Sequence, residues 1–178
     1  PPGCEDADDA FSVFTETGGS KCLAIHIADP TAWISPDSEL WRDVRRRAVT
    51  RYPSNRRPIH LMPEEIVRRA SLDADGTPKQ ALTVLAELDP ETYAPNGRVR
   101  LLFSLVRVNQ SLTYDEAVAI EQGGAAQAIA SGLKVAAALA TRRADKGPKV
   151  RNSSVRFSSS GPELVRTDGR IEGMIAEF

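Results

Sequence analysis

Soft-metal chemistry is nearly absent from this chain of 178 residues, which holds only two cysteines and two histidines. Cys4 and Cys22 form neither a C-x-x-C pair nor a disulfide framework, and with only His26 and His60 beside them no zinc site is expected. A reducing compartment is compatible with that usage. Long hydrophobic runs are missing too: nothing approaches the ~20 apolar residues of a transmembrane helix, so no membrane partner is expected. The start, Pro1-Pro2-Gly3-Cys4, has no basic segment leading into an apolar core, which argues against secretion and leaves a bacterial cytoplasm or an organelle. Charge of one sign is not in excess either, since 23 basic residues meet 24 acidic ones for a net of −1. That balance excludes coating nucleic acid by bulk charge, so any nucleic-acid binding must be local. Internal repeats and low-complexity tracts are absent. What remains is an ordinary globular composition, 41% hydrophobic and 26% charged, of a length that suits one domain.

The chemistry concentrates in Glu5-Asp6-Ala7-Asp8-Asp9-Ala10-Phe11-Ser12-Val13, where three aspartates stand at the mouth of an apolar, strand-like run. In extended backbone Asp6 and Asp8 project to one side and Asp9 to the other. Carboxylates this close repel, and a hard divalent cation relieves the repulsion by taking their oxygens as ligands. Mg²⁺ needs only one or two from protein while phosphate and water fill the rest. The alternative is a solvated acidic turn before a strand.

Along the chain, residues 10–15 and 21–27 are β-rich runs joined by Thr17-Gly18-Gly19-Ser20, a hairpin signal. Ser35-Pro36-Asp37-Ser38 offers an N-cap to a helix over 39–50, with Leu40, Trp41, Val44 and Ala48 as one buried stripe and Arg42, Arg45 and Arg46 opposite. Those arginines are either a solvated face or phosphate contacts. The loop Arg51-Tyr52-Pro53-Ser54-Asn55-Arg56-Arg57-Pro58 can neutralise phosphates while Tyr52 stacks on a base, or Tyr52 can tuck against the core. A short helix opens after Pro63 with Glu64 and Glu65 at its positive end and stops near Ser71-Leu72. Asp75-Gly76-Thr77-Pro78 is a turn. The strongest strands are 80–88 and 98–108, with Asn96-Gly97 expected to turn the chain between them and apolar runs such as Leu101-Leu102-Phe103 suggesting cover on both faces. Thr113 and Glu116 stand at capping-box spacing beside Tyr114. A core helix is predicted over 125–143 through Ala126, Ile129, Leu133, Ala136 and Ala140. Short strands follow near 155–157 and 163–166, and then a last helical pattern, Ile171, Met174, Ile175 and Phe178, expected to stand open to water.

Several segments, in order and correctly spaced, together resemble the catalytic domain of the ribonuclease II, or RNB, family. They are Glu5 to Val13, His26-Ile27-Ala28-Asp29-Pro30, Arg45-Arg46-Arg47, Tyr52, Leu61-Met62-Pro63-Glu64, Ser71-Leu72, Leu112-Thr113-Tyr114-Asp115-Glu116 and Glu177-Phe178. The resemblance covers nearly the whole chain and corresponds to about the first half of that domain. It implies an α+β architecture: a curved, largely antiparallel sheet with helices packed on one side, residues 1–178 being the N-terminal portion of one domain incomplete at both ends. It also implies Mg²⁺-dependent 3′→5′ hydrolysis of single-stranded RNA to nucleoside 5′-monophosphates.

Carried over residue by residue, the resemblance places Asp6, Asp8 and Asp9 around the metal and the scissile phosphate, with Asp8 and Asp9 catalytic and Asp8 the most critical. Tyr114 matches an aromatic beside the terminal bases and Tyr52 one farther along the strand, while Arg45, Arg46, Arg51 and Arg56 are the expected phosphate contacts. Two departures stand out. The family's first aspartate would fall just before Pro1, and a later arginine that holds the reacting phosphate would lie beyond Phe178, so the chain alone is expected to be inactive and to need the remainder of its polypeptide. Ala70 stands where many members carry cysteine. The competing readings are an RNA-binding relic of the same fold without hydrolysis and a Mg²⁺ phosphohydrolase acting on small molecules; the latter has little use for the stretch from Arg45 to Arg57.

Overall fold

Gly19, at a φ of +86°, closes the first hairpin in a computed structural model of the chain, a left-handed conformation that costs glycine little. The structure describes residues 6–122, 127–144, 153–158 and 161–166, together with positions 171, 174, 175 and 178. The hairpin joins β1 (Asp9–Thr15) to β2 (Lys21–Ala28), as its turn chemistry predicts. With β3 (Lys79–Leu88) and β4 (Pro95–Val106) they form an open antiparallel sheet in the order β1-β2-β3-β4. The helices are α1 (Glu39–Arg47), α2 (Glu64–Ala70), α3 (Tyr114–Gln122) and α4 (Gln127–Ala144), with a 3₁₀ turn over Pro30–Trp33. A separate antiparallel pair, β5 (Ser153–Ser158) and β6 (Gly161–Arg166), fits the two short strands expected there. None of the described helices is long and apolar enough to cross a membrane.

The residues cluster into two compact units. One takes the aspartate segment with Ile25–Val84 and Leu101–Ser111; the other takes Ser12–Ala24, Leu85–Arg100 and the chain from Leu112 onward. In the first, β3 alternates as a half-buried strand should, with Lys79, Ala81 and Thr83 buried. α2 packs against the 3₁₀ turn, and Ile34 is buried just after that turn. In the second, Cys22, Ala24 and Leu85 form a buried cluster, and Leu23, on the opposite face of β2, is buried as well. α4 buries Ile129, Val135 and Ala136, so the expected core helix is present, although Leu133 and Ala140 stay half-buried and the deepest residue, Val135, was not on the expected stripe. Ala126 of that stripe lies outside the described residues.

Four expectations are corrected. α1 stops at Arg47 because Ala48 turns left-handed at a φ of +63°, and its stripe is half-buried at Leu40, Trp41 and Val44 and exposed at Ala48. Asn96-Gly97 lies inside β4. The return from β3 is built instead by the Asp89 carboxylate, which accepts from the N–H groups of Glu91 and Thr92, and by the Asp89 N–H, which donates to Ala94 O at 2.8 Å. β4 is not covered on both faces: it ends the strand order, and every residue from Asn96 to Phe103 is exposed. An apolar run reports a capacity for burial, not a partner. Conversely, Ile171 and Met174 are buried and Ile175 and Phe178 half-buried, not open to water, because their helical spacing gives them one common face to hide.

Candidate active site

The aspartate segment is fixed through its backbone before its carboxylates do anything. Ala7 donates its N–H to Ser71 Oγ at 2.9 Å and accepts at its carbonyl from Leu72 N at 2.8 Å, while Asp8 O accepts from Ala28 N at 2.8 Å. Ala7 thus bonds to the exit of α2 on one flank and Asp8 to the end of β2 on the other. That alternation belongs to extended chain, in which successive residues turn their polar groups to opposite sides. β1 itself starts at Asp9. Ser71 is buried and donates its own hydroxyl proton to Asp73 Oδ1, so the anchor is fully engaged.

Asp6, Asp8 and Asp9 therefore stand consecutively on a pinned strand entrance, Asp6 half-buried and the other two exposed. Local burial raises the pKa of Asp8 above the usual 3.8, and the neighbouring carboxylates of Asp6 and Asp9 raise it further. The physical content is a shared negative field that each ionisation must oppose. Carboxylate oxygens are the donors that Mg²⁺ takes, so the residue set fits the expected ion. Among the described residues no group of three His, Cys, Asp or Glu side chains is closed around one point.

The arginine stretch is also tied down. Arg51 and Ile59 exchange both backbone hydrogen bonds, at 3.0 and 2.8 Å, closing the loop of residues 52–58 at its neck. Thr50 Oγ1 accepts from Leu61 N at 3.1 Å below that neck. Tyr52 is 70% exposed at the loop's start, so it does not tuck against the core, and Arg51 and Arg56 are exposed beside it. On α1, Arg46 and Arg47 share the carboxylate of Asp43 at 2.6 and 2.7 Å, leaving a positive excess together with exposed Arg45. A shallow cleft of about 260 Å³ at the loop's neck is lined by Arg47, Val49, Arg51, Ile59 and His60. All of these residues, with the aspartates, belong to the first unit. Tyr114 belongs to the second. It opens α3 half exposed, at the end of a reciprocal capping box in which Glu116 N donates to Thr113 Oγ1 at 3.2 Å and Thr113 N to Glu116 Oε2 at 2.8 Å.

Residues 1–174 match the model of the RNB domain. The chain belongs to the RNB family. It is 31% identical over 164 residues to human exosome complex exonuclease RRP44, a match covering 88% of this chain and 17% of that protein. It is 33% identical over 111 residues to exoribonuclease 2 of Edwardsiella piscicida, covering 62% of this chain and 17% of that one. The RNB chain thus spans about a sixth of the length of either relative. Its fold is that of Mycoplasma genitalium RNase R, solved in complex with double-stranded RNA, at a TM-score of 0.76 and 15% identity over 99% of this chain and 33% of that one.

Within the RNB chain the motif residues His26 and Asp29 serve structure. Asp29 Oδ1 caps the 3₁₀ turn by accepting from Thr31 N at 3.0 Å, and His26 Nδ1 lies 2.8 Å from Thr83 Oγ1 with its pKa lowered by burial. Two features escaped the sequence reading. In the sequence Ser71 ends a helix and belongs to one of the family-like segments, but nothing local signals a bond across 64 positions to Ala7. Trp33, exposed at the end of the 3₁₀ turn, has the Arg69 guanidinium 5.2 Å from its ring centroid.

Proposed function

We propose that this chain supplies the carboxylate-bearing part of a Mg²⁺-dependent 3′→5′ exoribonuclease that degrades single-stranded RNA to nucleoside 5′-monophosphates. The observation that carries the reading is the placing of Asp6, Asp8 and Asp9 on a backbone pinned by Ser71, Leu72 and Ala28, where burial first and the two neighbouring carboxylates after it oppose the ionisation of Asp8. A site that gathers three carboxylates within four positions of a fixed strand entrance is adapted to a cation. Asp6, Asp8 and Asp9 would hold Mg²⁺, which when bound supplies a Lewis acid for the phosphate and a more acidic water. The three carboxylates keep that charge fixed so that little reorganises as the phosphate reacts. Exposed Tyr52 offers a ring to any base, since every base has a π-face, and the family resemblance gives Tyr114 the same role beside the terminal bases. Arg45, Arg46, Arg51 and Arg56 contact phosphates without reading sequence. The relatives named for exoribonuclease activity support the reaction class.

The test is Asp8→Asn in the full-length protein, assayed with labelled single-stranded RNA. Hydrolysis should be abolished while RNA affinity stays near that of the unaltered protein, because the carboxylate acts on the reacting phosphate and binding comes from rings and arginines elsewhere. Equal loss of binding and cleavage would remove Asp8 from the chemistry. Full-length protein that binds RNA and releases no mononucleotide in the same digest would be the relic without hydrolysis.

A further inference from the structure

The cleft along α2 holds charge that neither the aspartates nor the arginine loop uses. It measures about 430 Å³ and is lined by Glu65, Arg68, Arg69, Asp75 and Lys79. Lys79 is only 7% exposed, rare for a lysine, and Asp75 holds its ammonium at 2.9 Å. Arg69 is paired with Glu65 at 2.6 Å along the helix and also covers the exposed Trp33 ring. Three cations thus face two carboxylates, and Arg68, exposed, is in no ion pair among the described residues. α2, which lines the cleft, also anchors the aspartate segment of the same unit through its exit, where Ser71 accepts from Ala7 between Asp6 and Asp8. The turn that ends in Trp33 is capped by Asp29, whose N–H donates to Gln80 O next to Lys79.

We propose that this cleft is a second contact for single-stranded RNA, where Arg68 and Arg69 hold a phosphate over the fixed charge of Lys79 while Trp33, on the far side of Arg69, stacks the adjoining base. The assignment rests on the exoribonuclease reading and adds a subsite to it. An exposed ion pair four residues apart on a helix is weak, so Glu65 yields Arg69 readily to a phosphate, whose oxygens match the planar guanidinium fork. Tryptophan stacking is indifferent to base identity, which suits a subsite on a strand of any sequence. Lys79, buried and tied to Asp75, sets the field without having to reorient.

Trp41→Phe leaves Trp33 as the only tryptophan and makes its emission a local probe. Titration of that chain with an oligouridylate should quench Trp33 along the same isotherm that anisotropy of the labelled RNA reports. Trp33→Ala should weaken RNA binding about 5- to 150-fold, the range for loss of one base stack. Arg68→Gln should make the dependence of log K on log salt shallower by about 0.7, one phosphate contact on a single strand. Both positions are exposed, and unchanged melting temperatures will show that the fold survives. RNA binding that Tyr52→Ala weakens, with Trp33 unquenched and the Arg68→Gln slope unchanged, would overturn this subsite and leave the exoribonuclease reading standing. No RNA binding by the unaltered full-length protein would overturn both.

Discussion

Ser71 and Ala7, 64 positions apart, are joined by a 2.9 Å hydrogen bond from the Ala7 N–H to the Ser71 hydroxyl. The pair couples the end of α2 to the gap between Asp6 and Asp8. Leu72 N closes the same contact from the next residue at 2.8 Å, so Ala7 is held at both its polar groups. The spacing of the carboxylates therefore depends on a helix that carries none of them.

Ser71→Ala should destabilise the chain by about 1 kcal/mol, because the half-buried Ala7 N–H is left without its acceptor. Ser71 is 2% exposed, so water cannot readily take the hydroxyl's place. Urea unfolding gives the stability, and hydrogen exchange at the Ala7 amide gives the local effect. Exchange at Ala7 as slow as in the unaltered chain would show that the anchor lies elsewhere.

Features written within a few residues were legible before the structure. The first hairpin follows from Gly18-Gly19, the start of α1 from Ser38, whose hydroxyl accepts from Trp41 N at 3.0 Å, and the start of α3 from the spacing of Thr113 and Glu116. Errors arose where the deciding partner is distant or unmarked. Ala48 ends α1 in a left-handed conformation that alanine does not advertise. Asn96-Gly97 is a strong turn signal, yet the Asp89 carboxylate, bonded to Glu91 N and Thr92 N, takes the turn one step earlier. Of the site, the aspartates, Tyr52 and the arginines were visible as residue types, whereas the Ser71 anchor and the Trp33–Arg69 contact exist only once the chain is folded.

The apolar residues of β4 make self-association the expected behaviour of the isolated chain. Leu101, Phe103 and Leu105 alternate along one face at 65%, 84% and 68% exposure, on a strand that ends the sheet order. An open edge bearing an apolar row is a template for another strand. Phe103→Lys should lower the oligomer fraction in sedimentation velocity and leave the melting temperature unchanged, since Phe103 has little contact to lose. An unchanged distribution of species would place the association surface elsewhere.

The last expectation concerns His26 and acid. Its Nδ1 meets Thr83 Oγ1, Thr83 Oγ1 meets Ser104 Oγ, and Ser104 Oγ reaches Ala81 O at 3.3 Å. Each hydroxyl has one proton to give, so all three bonds are satisfied together only if His26 donates to Thr83, Thr83 to Ser104 and Ser104 to the carbonyl. That chain is complete with a neutral imidazole, and burial lowers the His26 pKa below its ordinary 6.5. A proton added at the other nitrogen places a charge where solvent is scarce. The unfolded chain carries no such penalty and takes up its proton first as the pH falls. The contribution of His26 is therefore fully present above pH 6.5 and declines below it, because the unfolded state there binds more protons than the folded one. Melting temperatures measured on either side of that pH should fall on the acid side, and His26→Gln, which cannot titrate, should reduce the drop. An equal drop in the variant would assign the acid sensitivity to other groups.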